Sequence, residues 1–353
     1  MLTETSRNTV GGLAFRVMNG TSGPETTWLL TGGAGYIGAH IVRSLQNLGI
    51  GVVVLDDMTD GVLENIPSDV PLVKANILDT AVVESALRDH HIRGVIHLAA
   101  KKAVGESVER PLHYYEQNVL GTHSLLTAME RVSVRNVMFS SSAAVYGETG
   151  LEVVNEESPT VPTSPYGETK LISEWMIKDQ ARAVGLSYVS LRYFNVAGAG
   201  SAELGDRGVF NLVPIVLRAL TRGERPKVFG ADYPTRDGSC IRDYIHVADL
   251  AEAHGAAVVH LNTHHDSGPQ TMRAYNVGTG TGTTVLEVMD AVRSVTGIDF
   301  DPEIVARRAG DPARVVGSPE RITRELGWAA KRDLHDMVAS AWEAFQAFPP
   351  TRG

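Results

Sequence analysis

One cysteine, Cys240, is all that this chain of 353 residues contains. It cannot form an internal disulfide, and nothing points to an oxidising compartment. No apolar stretch approaches the length needed to span a bilayer, so no membrane partner is expected. Sustained basic runs are missing as well. With 32 Lys and Arg against 41 Asp and Glu, an electrostatic surface for nucleic acid is not expected. The histidines, including His264-His265, lack convergent metal-ligand spacing and read as loop residues, so no metal is expected. Met1 to Glu25 has neither the basic start nor the apolar run of a signal peptide. Residues 1–26 are expected to form a mobile extension on a cytoplasmic protein, without internal repeats or low-complexity tracts.

What the chain does have begins with glycine. Thr27-Trp28-Leu29-Leu30-Thr31 reads as a short buried strand, and Gly32, Gly35 and Gly38 follow it. Ile37, Ile41, Val42, Leu45 and Leu48 recur at helical spacing, which predicts a helix from the last glycine onward. Gly32 suits the tight turn, Gly35 lets the backbone approach a diphosphate, and Gly38 lets helix and strand pack closely. The helix N-terminus adds free N–H groups and partial positive charge for phosphates. A second strand, Gly51 to Leu55, ends in Asp56-Asp57. An acid there can accept hydrogen bonds from ribose hydroxyls and would repel the extra phosphate of NADP, which favours NAD. A lone glycine triplet would be read as a turn; strand, helix and acid in register point to a dinucleotide.

The alternation continues along the chain. Strands are predicted at Pro71–Lys74, Gly94–Leu98, Asn136–Ser140 and Leu186–Tyr193, with helices at Ala81–Asp89, Asn118–Arg131 and Tyr166–Val184. Continuous apolar strands between amphipathic helices predict an α/β fold, a Rossmann-type doubly wound parallel sheet covered on both faces. Ligands of such sheets sit beyond the carboxyl ends of the strands, where Asp56, Asn76, Lys102, Ser142 and Asn195 fall. After Asn195 the pattern loosens: Gly198–Phe210 is rich in glycine and charge, and Pro226–Ser239 is loop-like. The expected division is an NAD-binding domain at 27–196, to which 238–262 returns. A smaller α/β substrate-binding domain takes 197–237 and 263–345, and 346–353 is a tail.

Tyr166 and Lys170 stand at i and i+4 of one predicted helix, so both project from one face. A free phenol ionises near pKa ~10, too high for a base at neutral pH. A neighbouring ammonium and an oxidised nicotinamide both favour the phenolate. Ser142, at the end of a strand, can hold a substrate hydroxyl and relay its proton. Alone, each residue would read as a surface aromatic, a solvated charge or a turn; combined, Ser142, Tyr166 and Lys170 are the catalytic candidates.

Three segments carry a specific resemblance: Thr31-Gly32-Gly33-Ala34-Gly35-Tyr36-Ile37-Gly38, Ser140-Ser141-Ser142-Ala143-Ala144-Val145-Tyr146-Gly147 and Ser164-Pro165-Tyr166-Gly167-Glu168-Thr169-Lys170. They resemble the extended short-chain dehydrogenase/reductases. Lys102–Val108, Leu191–Asn195 and Cys240–Val247 resemble, more narrowly, the UDP-glucose 4-epimerase family, a likeness running from about Trp28 to Trp342. It implies that Tyr36, Ile37, Asp56, Asp57, Met58, Thr59, Asp60, Gly61, Asn76, Ile77, Leu98, Ala99, Ala100, Lys102, Asn118, Ser142, Tyr166, Lys170 and Phe194 line NAD. It further implies that Asn195, Asn211, Leu212, Lys227, Val228, Phe229, Arg242, the stretch from Arg308 to Asp311 and Val315 hold a UDP-sugar, with Lys102, Ser142 and Tyr166 reaching the sugar. Arginine suits a diphosphate because its planar fork makes paired, charge-assisted bonds.

The resemblance implies removal of hydride from sugar C4, rotation of the 4-keto sugar, and return of the hydride to the other face. It also implies a homodimer packed through the helices at Asn118–Arg131 and Tyr166–Val184. Three residues depart from the family pattern. Asn76 replaces a common aspartate but can still accept a hydrogen bond, and Ala144 lacks a hydroxyl that would assist Ser142. Val315 is small at a position whose bulk excludes N-acetylated sugars, which implies that UDP-N-acetylhexosamines are tolerated. Ala143 and Ala144 stand where a 4,6-dehydratase would carry acids. A UDP-glucuronate 4-epimerase remains open, and a silent NAD-binding scaffold is disfavoured because Tyr166, Lys170 and Ser142 are all kept.

Overall fold

The computed structural model describes residues 26–208, 211–263, 271–308 and 311–349. Nearly all of the expected N-terminal extension, with His264 and His265, lies outside them. In chain order the first half comprises β1 (Thr27–Thr31), α1 (Tyr36–Asn47), β2 (Gly51–Asp56), β3 (Leu72–Lys74), α2 (Thr80–Asp89), β4 (Gly94–His97), α3 (Val104–Glu109), α4 (Pro111–Tyr114), a π-helical turn (Tyr115–Leu120), α5 (Gly121–Val132), β5 (Asn136–Ser140), α6 (Pro165–Val184) and β6 (Ser187–Tyr193). There follow β7 (Asn195–Ala197), α7 (Leu212–Thr221), β8 (Lys227–Phe229), β9 (Ile241–His246), α8 (Val247–Thr263), β10 (Met272–Val277), β11 (Gly282–Thr284), α9 (Val285–Thr296), β12 (Glu303–Val305), β13 (Arg314–Val315), α10 (Glu320–Leu326) and α11 (Leu334–Ala347).

The main sheet has seven strands in the order β10-β6-β5-β4-β1-β2-β3, every pair parallel. Its strands are apolar on both faces because both faces are covered. On β1, Trp28 and Leu30 pack toward α1 and α8, whereas Leu29 packs toward α2, α5 and α6. On β2, Val52 and Val54 take the first side and Val53 and Leu55 the second. Each buried aliphatic of this kind contributes about 1.5–3 kcal/mol, so a polar residue in either position would be costly. Strand order reverses between β1 and β4, and the cleft described below opens there.

Local chemistry sets the helix that matters most. Ser164 caps α6, its Oγ accepting from Gly167 N at 3.2 Å, Pro165 takes the first turn, and Gly185 closes the helix at φ 74°.

Several boundaries differ from expectation. The helix after β1 starts at Tyr36, with Gly35 as its extended N-cap, so Gly38 lies inside the first turn. A Cβ on Gly38 would strike the Gly32 carbonyl oxygen and come within 2.7 Å of Gly33 Cα. The helix expected at Asn118 belongs to a longer run that begins at Pro111. The π-turn at Tyr115–Leu120 shifts its facing, which hides the first part from a 3.6-residue pattern. Pro226–Ser239 contains a strand, β8, paired with β12. The expected domain division fails at two strands. β9 sits in a second sheet with β7, β11 and β13, and only α8 from 238–262 covers the first sheet; β10 joins the first sheet beside β6. β9 carries Arg242, Asp243 and His246, and β10 carries Arg273 and Asn276, so neither shows the continuous apolar run that marks the inner strands of the first sheet, and composition does not reveal which sheet takes them. Helix α11 also extends to Ala347, into the expected tail.

Candidate active site

A cleft of about 520 Å³ runs across the carboxyl ends of β1, β2 and β4 to the first turns of α6. Gly32, Gly35, Tyr36, Ile37 and Gly38 form one wall. Gly32 has φ 73°, and a Cβ there would lie 2.9 Å from the backbone of Ala99, so the turn is open only to glycine. Gly35 differs. An added Cβ would meet nothing closer than the Gly32 carbonyl oxygen at 3.4 Å. Because Gly35 lines the cleft, its missing side chain leaves room for a ligand. The N-cap glycine offers no side-chain acceptor to α1, which leaves the helix start to the cleft.

The acidic end holds surprises. Asp56 is nearly buried and accepts from Ala34 N at 3.0 Å and Met58 N at 2.9 Å. Burial raises its pKa, and those two N–H groups oppose the rise. Asp57 is exposed and accepts from Thr59 N at 2.9 Å and from Asn76 Nδ2 at 3.1 Å. Asn76 Oδ1, the acceptor expected for adenine, already takes Leu78 N at 3.0 Å. Asp56, Asp57, Thr59, Asp60, Gly61, Asn76, Ile77, Leu98, Ala99, Ala100 and Lys102 all line the cleft, and Lys101 pairs with Asp60 at 3.6 Å.

Met58, Asn118 and Phe194, expected beside the cofactor, do not line the cleft. Met58 donates its backbone N–H to Asp56 and does not line the cleft. Asn118 pins the Lys101 backbone from both sides, accepting from Lys101 N at 2.8 Å and donating to Lys101 O at 3.0 Å. Phe194 packs with Val145, Tyr146, Val154 and Leu171, its ring filling the space where Gly317 has no side chain. Conversely, Tyr114, Gln117, Glu106 and Tyr193 line the cleft although none was expected as a site residue. Tyr114 and Gln117 lie in the helical run whose start the pattern concealed, and Glu106 lies on α3.

The structure brings Ser142, Tyr166 and Lys170 together at the inner end. Ser142 Oγ accepts from Ala144 N at 3.2 Å and is bonded to Tyr166. Burial raises the Tyr166 pKa, and the Ser142 bond lowers it. Lys170 is buried and brought down to about 8, chiefly by desolvation, with Glu174 acting in the opposite sense. Its Nζ donates to Ser140 O at 2.8 Å and lies 6.0 Å from the Tyr166 ring centre. The ammonium is thus turned to a backbone carbonyl and stands beside the phenol without bonding it.

Beneath the group sits His97, buried and held neutral, its pKa lowered to about 3 first by burial and then by Lys170. Thr31 Oγ1 accepts from Leu98 N and Ala99 N, both at 3.2 Å, so its own proton goes to His97 Nδ1 at 2.8 Å. This fixes the tautomer with the proton on Nε2, which meets Thr122 Oγ1 at 3.2 Å.

Of the residues expected on the substrate side, Lys102 and Tyr166 line the cleft and Ser142 bonds Tyr166; the others do not line it among the described residues. Arg242 Nη2 donates to Asp311 Oδ1 at 2.6 Å. Arg308 lies 3.7 Å above the Phe229 ring, on β8 with Lys227 and Val228. Val315 stands opposite Arg242 in the β13–β9 register and packs with the Phe194 cluster. Asn195 bonds Tyr244, and Asn211 Nδ2 donates to Asp206 Oδ2 at 2.6 Å just before Leu212 opens α7. Residues 309 and 310 lie outside the described residues.

Comparison with known proteins agrees with this geometry. The profile of the NAD dependent epimerase/dehydratase family matches residues 28–278. The chain is similar to the UDP-glucose 4-epimerase of Halalkalibacterium halodurans, 46% identical over 326 residues, covering 91% of this chain and 96% of the relative. Among solved structures it resembles UDP-glucose-4-epimerase from Stenotrophomonas maltophila with bound NAD and formylated UDP-arabinopyranose, at TM-score 0.86 and 38% identity over 92% of this chain and 98% of that one. It also resembles the UDP-Glc/GlcNAc 4-epimerase of Campylobacter jejuni, at TM-score 0.78 and 35% identity over 91% and 99%.

Proposed function

This chain belongs to the NAD dependent epimerase/dehydratase family, and we propose that it is an NAD-dependent isomerase that interconverts UDP-glucose and UDP-galactose by inversion at C4. The observation that carries the reading is that the Gly32–Gly38 turn and the pair Tyr166 and Lys170, with Ser142 bonded to Tyr166, lie at opposite ends of one cleft. The cleft suits NAD: Gly35 leaves open room, the helix start faces it, and Asp56, Asp57 and Asp60 oppose a further phosphate.

When bound, NAD supplies the hydride acceptor and donor and a positive charge that favours the phenolate. Tyr166, bonded to Ser142, takes the proton of the sugar C4 hydroxyl and later returns it. Lys170, anchored on Ser140 O, presents its remaining protons to the cleft. Arg242 and Arg308 hold the UDP diphosphate, Phe229 and Leu212 flank the uracil, and Asn195 and Lys102 steady the sugar. The first sheet with its helices thus serves the cofactor and the second unit the sugar nucleotide.

Val315 leaves space for an N-acetyl group, so UDP-N-acetylhexosamines are also substrates. The enzyme works in the cytoplasm as a homodimer, packed through the half-exposed Leu120 and Trp175 on the π-turn and α6. Among the described residues no helix is long and apolar enough to cross a membrane. Purified protein given UDP-galactose should form UDP-glucose without added reductant. Absence of that conversion with NAD present ends this reading, and a monomer by light scattering ends the dimer.

A further inference from the structure

Tyr166, Lys170 and Glu174 stand at successive turns of one face of α6, and each meets one of three consecutive serines at the end of β5. Tyr166 bonds Ser142, Lys170 Nζ donates to Ser140 O at 2.8 Å, and Glu174 Oε1 accepts from Ser141 Oγ at 2.5 Å. The first two contacts belong to the chemistry already described. The third does not, and it is the most heavily engaged. Arg192 on β6 grips the same carboxylate with both forks, Nε to Oε1 at 2.9 Å and Nη2 to Oε2 at 2.6 Å. Arg192 Nη1 continues to Tyr146 OH at 3.1 Å, and Tyr146 donates to Asn276 Oδ1 on β10 at 2.7 Å.

Glu174, Arg192 and Ser141 are all buried. A buried ion pair is a poor source of stability, since desolving two charges costs as much as their attraction returns, and apolar residues of equal volume do as well. Its value lies in fixed geometry. We propose that Glu174 is a positioning residue for the reaction, clamped by Arg192 so that it fixes the Ser141 hydroxyl and, through the Ser140–Ser142 backbone, the placement of both Ser142 and Lys170. This rests on the epimerase reading given above.

The charge acts alongside the geometry. Burial pulls Lys170 down to about 8, and the Glu174 carboxylate opposes that fall. The other groups facing Lys170 do not offset it. His97 on β4 is neutral, Tyr193 on β6 and Tyr166 on α6 are held protonated by burial, and β5 presents the Phe139 ring and the Ser140 carbonyl. Removing the carboxylate should let Lys170 lose its proton at lower pH.

The test compares full-length, NAD-loaded wild type with Glu174→Gln and Ser141→Ala, measuring kcat and KM for UDP-galactose from pH 6 to 10 and bound NAD. Glu174→Gln should move the alkaline fall in kcat down by about one pH unit and lower kcat about tenfold at its optimum, with KM and NAD content within twofold. Ser141→Ala keeps the ion pair intact, so it folds even where Glu174→Gln does not. It should lower kcat about threefold to tenfold without moving the pH limb. A folded Glu174→Gln with the wild-type pH profile, or Ser141→Ala with wild-type kcat, overturns the proposal. Wild type that turns over no UDP-galactose refutes the activity instead. The positioning role is then read from the ¹³Cε lysine signal assigned with Lys170→Met, whose midpoint must still fall in Glu174→Gln.

Discussion

At the glycine turn the cleft wall is built of backbone and small residues, whereas the second unit presents charged side chains that are already engaged. Gly32, Gly35 and Ala99 shape the cleft wall, and Asp56 is held by two backbone N–H groups before any ribose arrives. In the second unit, Arg242 is bound to Asp311 and Arg308 rests on Phe229. A preformed cradle loses little freedom when it binds and suits a cofactor kept through many turnovers. Arginines that must exchange a carboxylate or a ring face for a diphosphate suit a substrate that has to leave. The two regions differ in the choice between backbone and side-chain donors.

Four measurements bear on that contrast. The sharpest is Tyr166→Phe, which leaves the cradle untouched and should cut kcat by about 10³-fold or more while the protein purifies with its NAD. Loss of NAD in that variant would show that the two ends of the cleft are not separable.

Next comes acid. His97 and His254 are buried and neutral, lowered to about 3 and about 4 chiefly by desolvation, against an unfolded value near ~6.5. The unfolded chain therefore binds more protons, so this contribution to stability is full above the unfolded value and is lost as pH falls toward the folded values. Between neutrality and pH 5 each histidine should cost about 2 kcal/mol of unfolding free energy. Urea titrations should show this, and His97→Gln should flatten the slope by about one proton; an unchanged slope would place the loss elsewhere.

Arg242→Ala probes the exchangeable side. It should raise KM for UDP-galactose about tenfold to a hundredfold, with a smaller effect on kcat and none on bound NAD. An effect confined to kcat would contradict a tethering role. The mildest change concerns Val315. UDP-N-acetylglucosamine should be turned over with kcat/KM within about tenfold of the plain sugar, and Val315→Tyr should remove the acetylated activity while sparing the other. No turnover of the acetylated sugar by wild type would sink that expectation.

Much of this was legible beforehand, for reasons that differ by region. The first sheet announced itself because strands buried on both faces must be continuously apolar, as in Leu29–Leu30 and Val52–Leu55. The glycine turn could be read because Gly32 needs a conformation and a closeness to Ala99 that no other residue allows. Ser142, Tyr166 and Lys170 were singled out by spacing and by family pattern, and the fold brings them together. Asn118 and Phe194 were assigned to the cofactor, yet one braces the Lys101 loop and the other fills a core, since a side chain near a site can serve it from behind. Glu174 and Arg192 went unnoticed, as a charge on a helix and a charge on a strand carry no sign of their burial.

What the sequence determined alone is everything governed by local rules: the period of its strands and helices, the turn only glycine can make, and the Tyr166–Lys170 helix face. Tertiary structure decided what depends on partners distant in the chain. It turned the Lys170 ammonium to Ser140 rather than to the phenol, sent β9 to one sheet and β10 to another, and closed Glu174 on Arg192. The physical reason is that burial and pairing set charge and direction, and both are properties of the packed chain rather than of any residue in it.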